Sequence, residues 1–528
     1  MNKRIYIDIN NEIGKRSNII NPIIPYNVND CVINHKRIGI DLCLAVSAMA
    51  KTYSVLVGNK EIINVCKDND YIEPICTLYP GIDYDVENIH EYFGKLLSSS
   101  IKGIYLDLSR LFVFNPSLFK SIFSFSEKSN LPIMVEWDQI DDKNTFFKMI
   151  KEYRKLKIII LNVNWAFKKY IFEYMKTNKN LYICMNGFIY QNMIEDVCDA
   201  FSSKRLLFGS GYPYYDIGSL KAMLEYSNIS EEEKDDISHK NAIKLFNISN
   251  VQKRKYSLLF DPISSAVDNG LNLKNTLGLD IIDSHTHFIS ENASLIDWFG
   301  GNKSIDKLLK SSRKIGVSKI ITSPLDGLVY DGIVGNKAVD NAIKKYDFPI
   351  YGYVTCNPYY SEDMETALKK INEDKYLGVK LYHSKNNYPY DGKLYEQLLN
   401  NVQQSGKFFL LHGTPEEAES VLKKYPNLLI LLAHATQNYL FMDKVLGLQS
   451  KYSNLYIDIC NRYMTYRALE YLVANGDSTR IIFGSDSNLL SQAAHVGWLA
   501  YSNISYDDKK NIFSNNIKKL VKKGKCNI

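Results

Sequence analysis

The stretch Leu279-Asp280-Ile281-Ile282-Asp283-Ser284-His285-Thr286-His287 passes from an apolar run to two metal-competent side chains. Side chains alternate between faces along a strand, so His285 and His287 point to one side. Imidazole is a good ligand for zinc and similar divalent ions, and a His-x-His pair at a strand's end supplies half of a tetrahedral site. A lone pair of this kind is more often an ordinary core or surface pair. The reading therefore turns on whether further ligands follow at intervals that one fold can bring together.

They follow. Phe408-Phe409-Leu410-Leu411-His412, Leu428-Leu429-Ile430-Leu431-Leu432-Ala433-His434 and Ile481-Ile482-Phe483-Gly484-Ser485-Asp486 each end an apolar run in one polar residue. Runs of this length read as strands buried on both faces, as in a parallel sheet covered by helices. Amphipathic stretches such as Thr414 to Tyr425 and Tyr463 to Asn475 supply the helices between them. The strands expected in this half are Ile281–His287, Val317–Thr322, Ile350–Cys356, Gly378–Tyr382, Phe408–His412, Leu428–His434, Leu455–Ile459 and Ile481–Asp486. Eight strands alternating with helices predict a (β/α)8 barrel, in which active sites form at the carboxyl ends of the strands.

These residues resemble the amidohydrolase superfamily, and more closely its amidohydrolase-2 branch, over roughly Ile281 to Leu520. The likeness rests on Asp-x-His-x-His, a His after strand five, Ala-His after strand six and Phe-Gly-Ser-Asp on strand eight. It implies that His285, His287, His412 and Asp486 hold one divalent metal ion, with zinc the expected ion. It implies also that His434 is an inner-rim acid/base or carbonyl polariser, and that Asp486 takes a proton from water. One departure is visible: the family's Gly-Ser-Asp is usually followed by an aromatic-Pro pair, whereas Ser487-Asn488 follow here.

The N-terminal half carries a second copy. Arg205 to Phe246 aligns without gaps to Arg480 to Val521, sharing Phe-Gly-Ser and Tyr-Ser-Asn-Ile-Ser. Gly58-Asn59-Lys60 repeats as Gly335-Asn336-Lys337, and Asn180-Leu181-Tyr182-Ile183 as Asn454-Leu455-Tyr456-Ile457. A repeat this long reads as domain duplication. The expected fold is therefore α/β, two tandem (β/α)8 TIM-like barrels: residues 1–248, a linker over 249–278 with a short strand at Tyr256–Phe260, and residues 279–528. Homologous halves predict packing of barrel on barrel, with a homo-oligomer left open.

Only the second copy keeps the chemistry. Asn10 and Glu12 stand opposite His285 and His287, the Glu136-Trp137 region opposite His412, and about Asn162 opposite His434. Tyr105 stands opposite Lys380, Cys184 opposite Asp458 and Gly211 opposite Asp486. Glycine offers no side-chain ligand atom, so the first barrel is expected to have lost the metal. It is then a stabilising partner or a retained binding domain.

Composition sets outer bounds. Lys+Arg 64 against Asp+Glu 58 gives +6, a small surplus for this length, and no basic block interleaved with aromatics suggests nucleic acid. Nine cysteines without a Cys-x-x-Cys spacing fit free thiols, and no run reaches membrane-spanning length. The expectation is a cytoplasmic protein with a small-molecule substrate, no nucleic acid and no membrane.

A metal ion held by three imidazoles and one carboxylate acidifies water and polarises a carbonyl, which makes hydrolysis of an amide, ester or lactone the leading reading. Non-oxidative decarboxylation or hydration within the same branch, and a non-catalytic binding role, are the alternatives. Lys380 in Gly378-Val379-Lys380-Leu381 has two readings: a carboxylated bridge between two metals, or an ammonium that binds substrate, which is the one adopted here. His383 and Arg462 complete the expected substrate contacts; each is equally at home as a rim hydrogen-bonding residue or a solvated loop cation.

Overall fold

Each apolar run becomes a short strand covered on both faces, the setting in which a continuous hydrophobic segment is stable. The computed structural model describes residues 4–16, 27–67, 69–249, 251–254, 261–289, 304–524 and 528. It holds two parallel sheets of eight strands, each in sequence order. The first comprises β1 (Ile7–Ile13), β2 (Leu42–Ser47), β3 (Ile72–Leu78), β4 (Gly103–Leu106), β5 (Ile133–Glu136), β6 (Ile158–Leu161), β7 (Leu181–Cys184) and β8 (Leu206–Leu207). The second comprises β9 (Ile281–Phe288), β10 (Val317–Pro324), β11 (Ile350–Val354), β12 (Tyr376–Leu381), β13 (Phe408–Leu411), β14 (Leu429–Leu432), β15 (Leu455–Asp458) and β16 (Ile481–Ile482). With helices between successive strands, this is the tandem (β/α)8 architecture. The chain divides into two compact units, one of Met1–Leu220 with Ser227–Phe260 and one of Lys221–Tyr226 with Asp261–Ile528.

Each barrel is closed by the segment after its last strand, which bonds back to its first. In the second barrel Ser284 N–H donates to the Phe483 carbonyl (3.1 Å) and Asp486 N–H to the His285 carbonyl (2.8 Å). The first barrel repeats the pattern from Ile9 to the Phe208 carbonyl (3.2 Å) and from Gly211 to the Asn10 carbonyl (3.0 Å). A buried carboxylate clamps each seam. Asp283 accepts from Ser485 N–H (3.1 Å) and Oγ (2.6 Å), and Asp8 from Ser210 N–H (2.9 Å) and Oγ (2.5 Å). The peptide bonds Tyr212–Pro213 and Ser487–Asn488 that follow are both cis.

The repeated residues explain themselves as scaffold. Asn59 and Asn336 each exchange two hydrogen bonds with the backbone of the neighbouring strand, at Thr77 (both 2.8 Å) and Thr355 (both 2.9 Å). Asn180 and Asn454 donate to carbonyls that precede the adjacent strand, at Leu156 and Leu428. A backbone group buried at a strand's end needs a partner, and an amide that offers both donor and acceptor supplies it.

The structure shortens several expected elements. The ladder stops at Leu411, Leu432 and Ile482, so His412, His434 and Asp486 stand just past the paired residues. The helix expected from Tyr463 begins only at Ala468, because Met464 (φ 43°) and Arg467 (φ 57°) take left-handed backbone that no α-helix accommodates. The 249–278 segment holds helices Pro262–Asp268 and Leu273–Leu277; the strand expected at Tyr256–Phe260 lies outside the described residues. Among the described residues no helix is long and apolar enough to cross a membrane, and all cysteines are free thiols.

Removing a seam hydroxyl leaves a buried carboxylate short of a donor, at a cost of about 1–3 kcal/mol. Ser210→Ala and Ser485→Ala should both lower the urea midpoint of unfolding. Only Ser485→Ala should also weaken metal retention, as read by elemental analysis after dialysis. Unchanged midpoints in both variants would remove the clamp from the account.

Candidate metal centre

His285 and His287 sit two apart on β9, so both rings enter the barrel mouth, and both are buried. The acceptor-only partners of their outer nitrogens fix the tautomers. His285 Nδ1 meets Asp458 Oδ2 at 2.5 Å and His287 Nδ1 meets the Ser323 carbonyl at 2.8 Å, so each Nδ1 carries the hydrogen. The Nε2 lone pairs therefore turn inward. They lie 3.1 Å from each other and 3.9 Å and 3.2 Å from Asp486 Oδ1. Two imidazole lone pairs and a carboxylate repel one another unless a cation stands between them, and an outer carboxylate or carbonyl on each His is the arrangement that orients metal ligands. The donor set fits a divalent metal ion.

Electrostatics disfavour the charged form of His285 and of the neighbouring His412 and His434. Burial, aided by the neighbouring Lys380 charge, holds His285 well below its usual pKa, and burial with the nearby His434 lowers His412 to about 2. His434 is lowered by burial too. Burial also brings Lys380 down to about 8.

The remaining expected residues divide. His412 is turned to His434, with Nδ1 3.1 Å from His434 Nε2, and does not join the His285–His287–Asp486 cluster. His434 is held from behind by Cys460, whose Sγ lies 3.1 Å from its Nδ1. Lys380 does not reach out to the rim: it is buried, and its Nζ lies 3.2 Å from His285 Nε2. His383 pairs with Glu417 (2.7 Å) and stacks edge-on to Tyr390. Arg462 is exposed and lies over the ring of its neighbour Tyr463, 4.3 Å from the centroid. Neither has a recorded contact with the cluster among the described residues.

Three contributors carry no role in the sequence reading. Asp283 is the seam clamp, Asp458 is the carboxylate behind His285, and Cys460 bridges Asp458 (3.1 Å), His285 (3.2 Å) and His434. Asp458 ends an apolar run, the same signal that marks His412. Gly484 makes room for this pair, since a Cβ there would lie 2.6 Å from Asp458 Oδ1 and 2.7 Å from His285 Cβ.

Ladder register fixes the counterparts in the first barrel. Ile160 pairs with Ile183 as Leu432 pairs with Ile457, which sets Asn162 at the place of His434; Val135 and Leu411 likewise set Glu136 at the place of His412. Glu12 is ion-paired to Arg16 and to Lys51 (3.2 Å) and accepts from Tyr214 Oη (3.0 Å). Lys51 Nζ lies 4.3 Å from the Tyr105 ring centroid, and Asn162 donates to Glu136. The carboxylates of this rim already face cations built into the chain.

Residues 282–523, which span the second barrel, match the amidohydrolase family model (Amidohydro_2). A comparison with curated protein sequences returns no match. Among solved structures, 5-carboxyvanillate decarboxylase from Sphingomonas paucimobilis is 12% identical with a TM-score of 0.38, over 46% of this chain and 99% of that chain. 2,6-Dihydroxybenzoate decarboxylase from Rhizobium is 12% identical with a TM-score of 0.38, over 47% and 100%. A dihydroxybenzoic acid decarboxylase from Polaromonas, solved with manganese and 2-nitroresorcinol, is 16% identical with a TM-score of 0.37, over 46% and 97%.

Metal analysis of the purified chain should find close to one divalent ion per molecule, with His287→Ala and Asp486→Ala each nearly empty. Asp458→Asn should retain the fold and lose affinity by about 10–100-fold. A content near two ions would instead make Lys380 or the first barrel a ligand source.

Proposed function

We propose that the second barrel is a metal-dependent hydrolase, with zinc as the expected ion, that opens an ester, amide or lactone of a small, largely apolar substrate. The observation that carries this reading is the convergence of His285, His287 and Asp486 beside the His412–His434 pair. A divalent ion held there acidifies water and polarises the substrate carbonyl. Asp486 faces both the ligand nitrogens and the mouth, and takes the proton from the attacking water. His434, with its Nδ1 set against Cys460 and its Nε2 against His412 Nδ1, is proposed to protonate the leaving group. Lys380, His383 and Arg462 remain the proposed substrate contacts, with Lys380 placed to meet a substrate anion near the metal. The first barrel, with no imidazole at any equivalent position, is proposed to be catalytically silent.

The apolar character of the substrate comes from the mouth itself. Ile289, Leu325 and Leu328 form a buried cluster with Val329, Tyr382 and Leu489, each just past a strand or on the helix after it. The Tyr382 ring lies 4.8 Å from that of His412. Where the first barrel has Lys51, the second has Leu328. An apolar wall that admits a ring favours one second reading, non-oxidative decarboxylation of an aromatic acid. There the same wall strips water from the substrate carboxylate, and an acid of the cluster protonates the ring carbon.

Isotopes separate the two. With aryl esters, lactones and amides in H2(18)O, the hydrolase reading expects one heavy oxygen in the acid product. With hydroxybenzoates in D2O, the alternative expects deuterium on the ring carbon and release of CO2. His434→Asn should lower kcat by about 10²–10⁴-fold. Its circular dichroism and melting should stay near wild type, because Asn162 already occupies that backbone position in the first barrel. Wild-type turnover in this variant would remove His434 from the mechanism.

A further inference from the structure

The first barrel carries a basic cleft that its duplicate lacks. It has a volume of about 860 Å³ and is lined by Lys151, Arg154, Lys155, Lys157 and Lys179, against one acid, Glu127. Lys157, Lys179 and their neighbours precede β6 and β7, so the cleft opens at the amino ends of the strands, the face opposite the barrel mouth. None of the five cations is ion-paired to an acid among the described residues. Glu127 is engaged by the backbone N–H of Lys155 (2.8 Å). Like charges gathered without counter-charges repel one another: burial and the nearby Lys244 hold the Lys157 ammonium below its usual pKa.

The second barrel is an internal control for this patch. Its backbone there is the same. Ile158 N–H bonds the Asn180 carbonyl and Ile430 N–H the Asn454 carbonyl, both at 3.0 Å. That register sets Pro426, Asn427, Leu429 and Ser453 where the first copy has Arg154, Lys155, Lys157 and Lys179. Tyr153 and Tyr182 keep their counterparts in Tyr425 and Tyr456. Lys423, the counterpart of Lys151, is paired to Glu419 (3.5 Å), and Lys451, which stands where the first copy has Thr177, meets the same carboxylate (3.8 Å). The fold therefore does not require the charges, and four of the five are particular to the first copy.

We infer that this cleft binds a small molecule bearing two or more phosphate groups. Four lysines supply point charges suited to phosphate oxygens, and the one arginine adds a fork that also matches phosphate. A volume of about 860 Å³ falls in the ~300–1,000 Å³ range of small-ligand sites. Tyr153 and Tyr182 give the cleft flat apolar surface beside the charges. Arg205 lies 5.7 Å from the Tyr182 ring centroid, adding a sixth cation at its edge.

Calorimetry on the full chain, at low salt and without added divalent ions, tests this with sodium tripolyphosphate and with ATP. One site per chain is expected for each probe; tighter ATP binding would add the tyrosines to the phosphate contacts. Each charge-assisted contact removed costs about tenfold or more, so Lys155→Gln/Lys157→Gln/Lys179→Gln should abolish measurable binding. Wild-type Lys155, Lys157 and Lys179 should also be protected from amine acylation by tripolyphosphate, a readout that needs no variant. Three results overturn the proposal. They are no binding by wild type, binding that survives the triple substitution (phosphate held at the metal centre instead), and a single-stranded RNA oligonucleotide that outcompetes both probes.

Discussion

A barrel persists only if its last strand returns to its first, and here one buried carboxylate makes that return. β16 has only two ladder residues, so much of the closure falls to Asp283, which accepts from both Ser485 groups and from Gln492 Nε2 (2.8 Å). Burial pushes this carboxyl up to about 7, the expected direction for an acid held away from water. The clamp also sets the site, since Asp283 is two residues before His285 and Ser485 is one before Asp486. Closing the fold brings a ligand from each end of the sheet side by side. That Asp8 and Ser210 make the same clamp in the first barrel, with Asn10 and Gly211 alongside, shows that it serves closure whether or not ligands follow.

Backbone conformation separates the two copies as sharply as side chains do. Asp486 (φ 55°) and His434 (φ 59°) both lie in the left-handed region, which costs an ordinary residue of order 1 kcal/mol. Their counterparts, Gly211 (φ 78°) and Asn162 (φ 53°), keep the conformation but are the residue types that adopt it most readily. The shape of the rim is thus common to both copies, whichever set of side chains it carries. The second barrel retains less comfortable residues at the two positions where a carboxylate and an imidazole face the mouth, the pattern of strain held where function needs it.

The strands and the His285–His287–Asp486 cluster were legible because each rests on local pattern: an apolar run buried on both faces, then one polar residue at its end. What escaped depends on pairing across the barrel. Spacing says that His412 belongs at the rim, but only the fold shows its ring turned to His434. Lys380 reads as a strand residue whose ammonium meets substrate, and only the fold shows it buried on β12 with its Nζ against His285. His383 and Arg462 are claimed by Glu417 and Tyr463, neighbours whose reach no periodicity encodes. The helix start at Ala468 was hidden likewise, since left-handed Met464 and Arg467 leave no mark in composition.

The two rims solve one electrostatic problem in opposite ways. Carboxylates aimed into a low-dielectric mouth must meet positive charge or take up a proton. In the first barrel Lys51 and Arg16 meet Glu12, while Glu136, raised by burial and lowered in turn by Lys51, is bonded by Asn162. In the second, the Lys51 position is Leu328, and Asp486 Oδ1 faces His287 Nε2 (3.2 Å) and His285 Nε2 (3.9 Å), with the buried Lys380 against His285. A tethered ammonium saturates its carboxylate permanently and leaves no exchangeable coordination position. Leaving that place to Leu328 keeps this part of the mouth apolar and takes one tethered ammonium away from the carboxylate, so that an added cation can meet Asp486 and still share its coordination with a substrate.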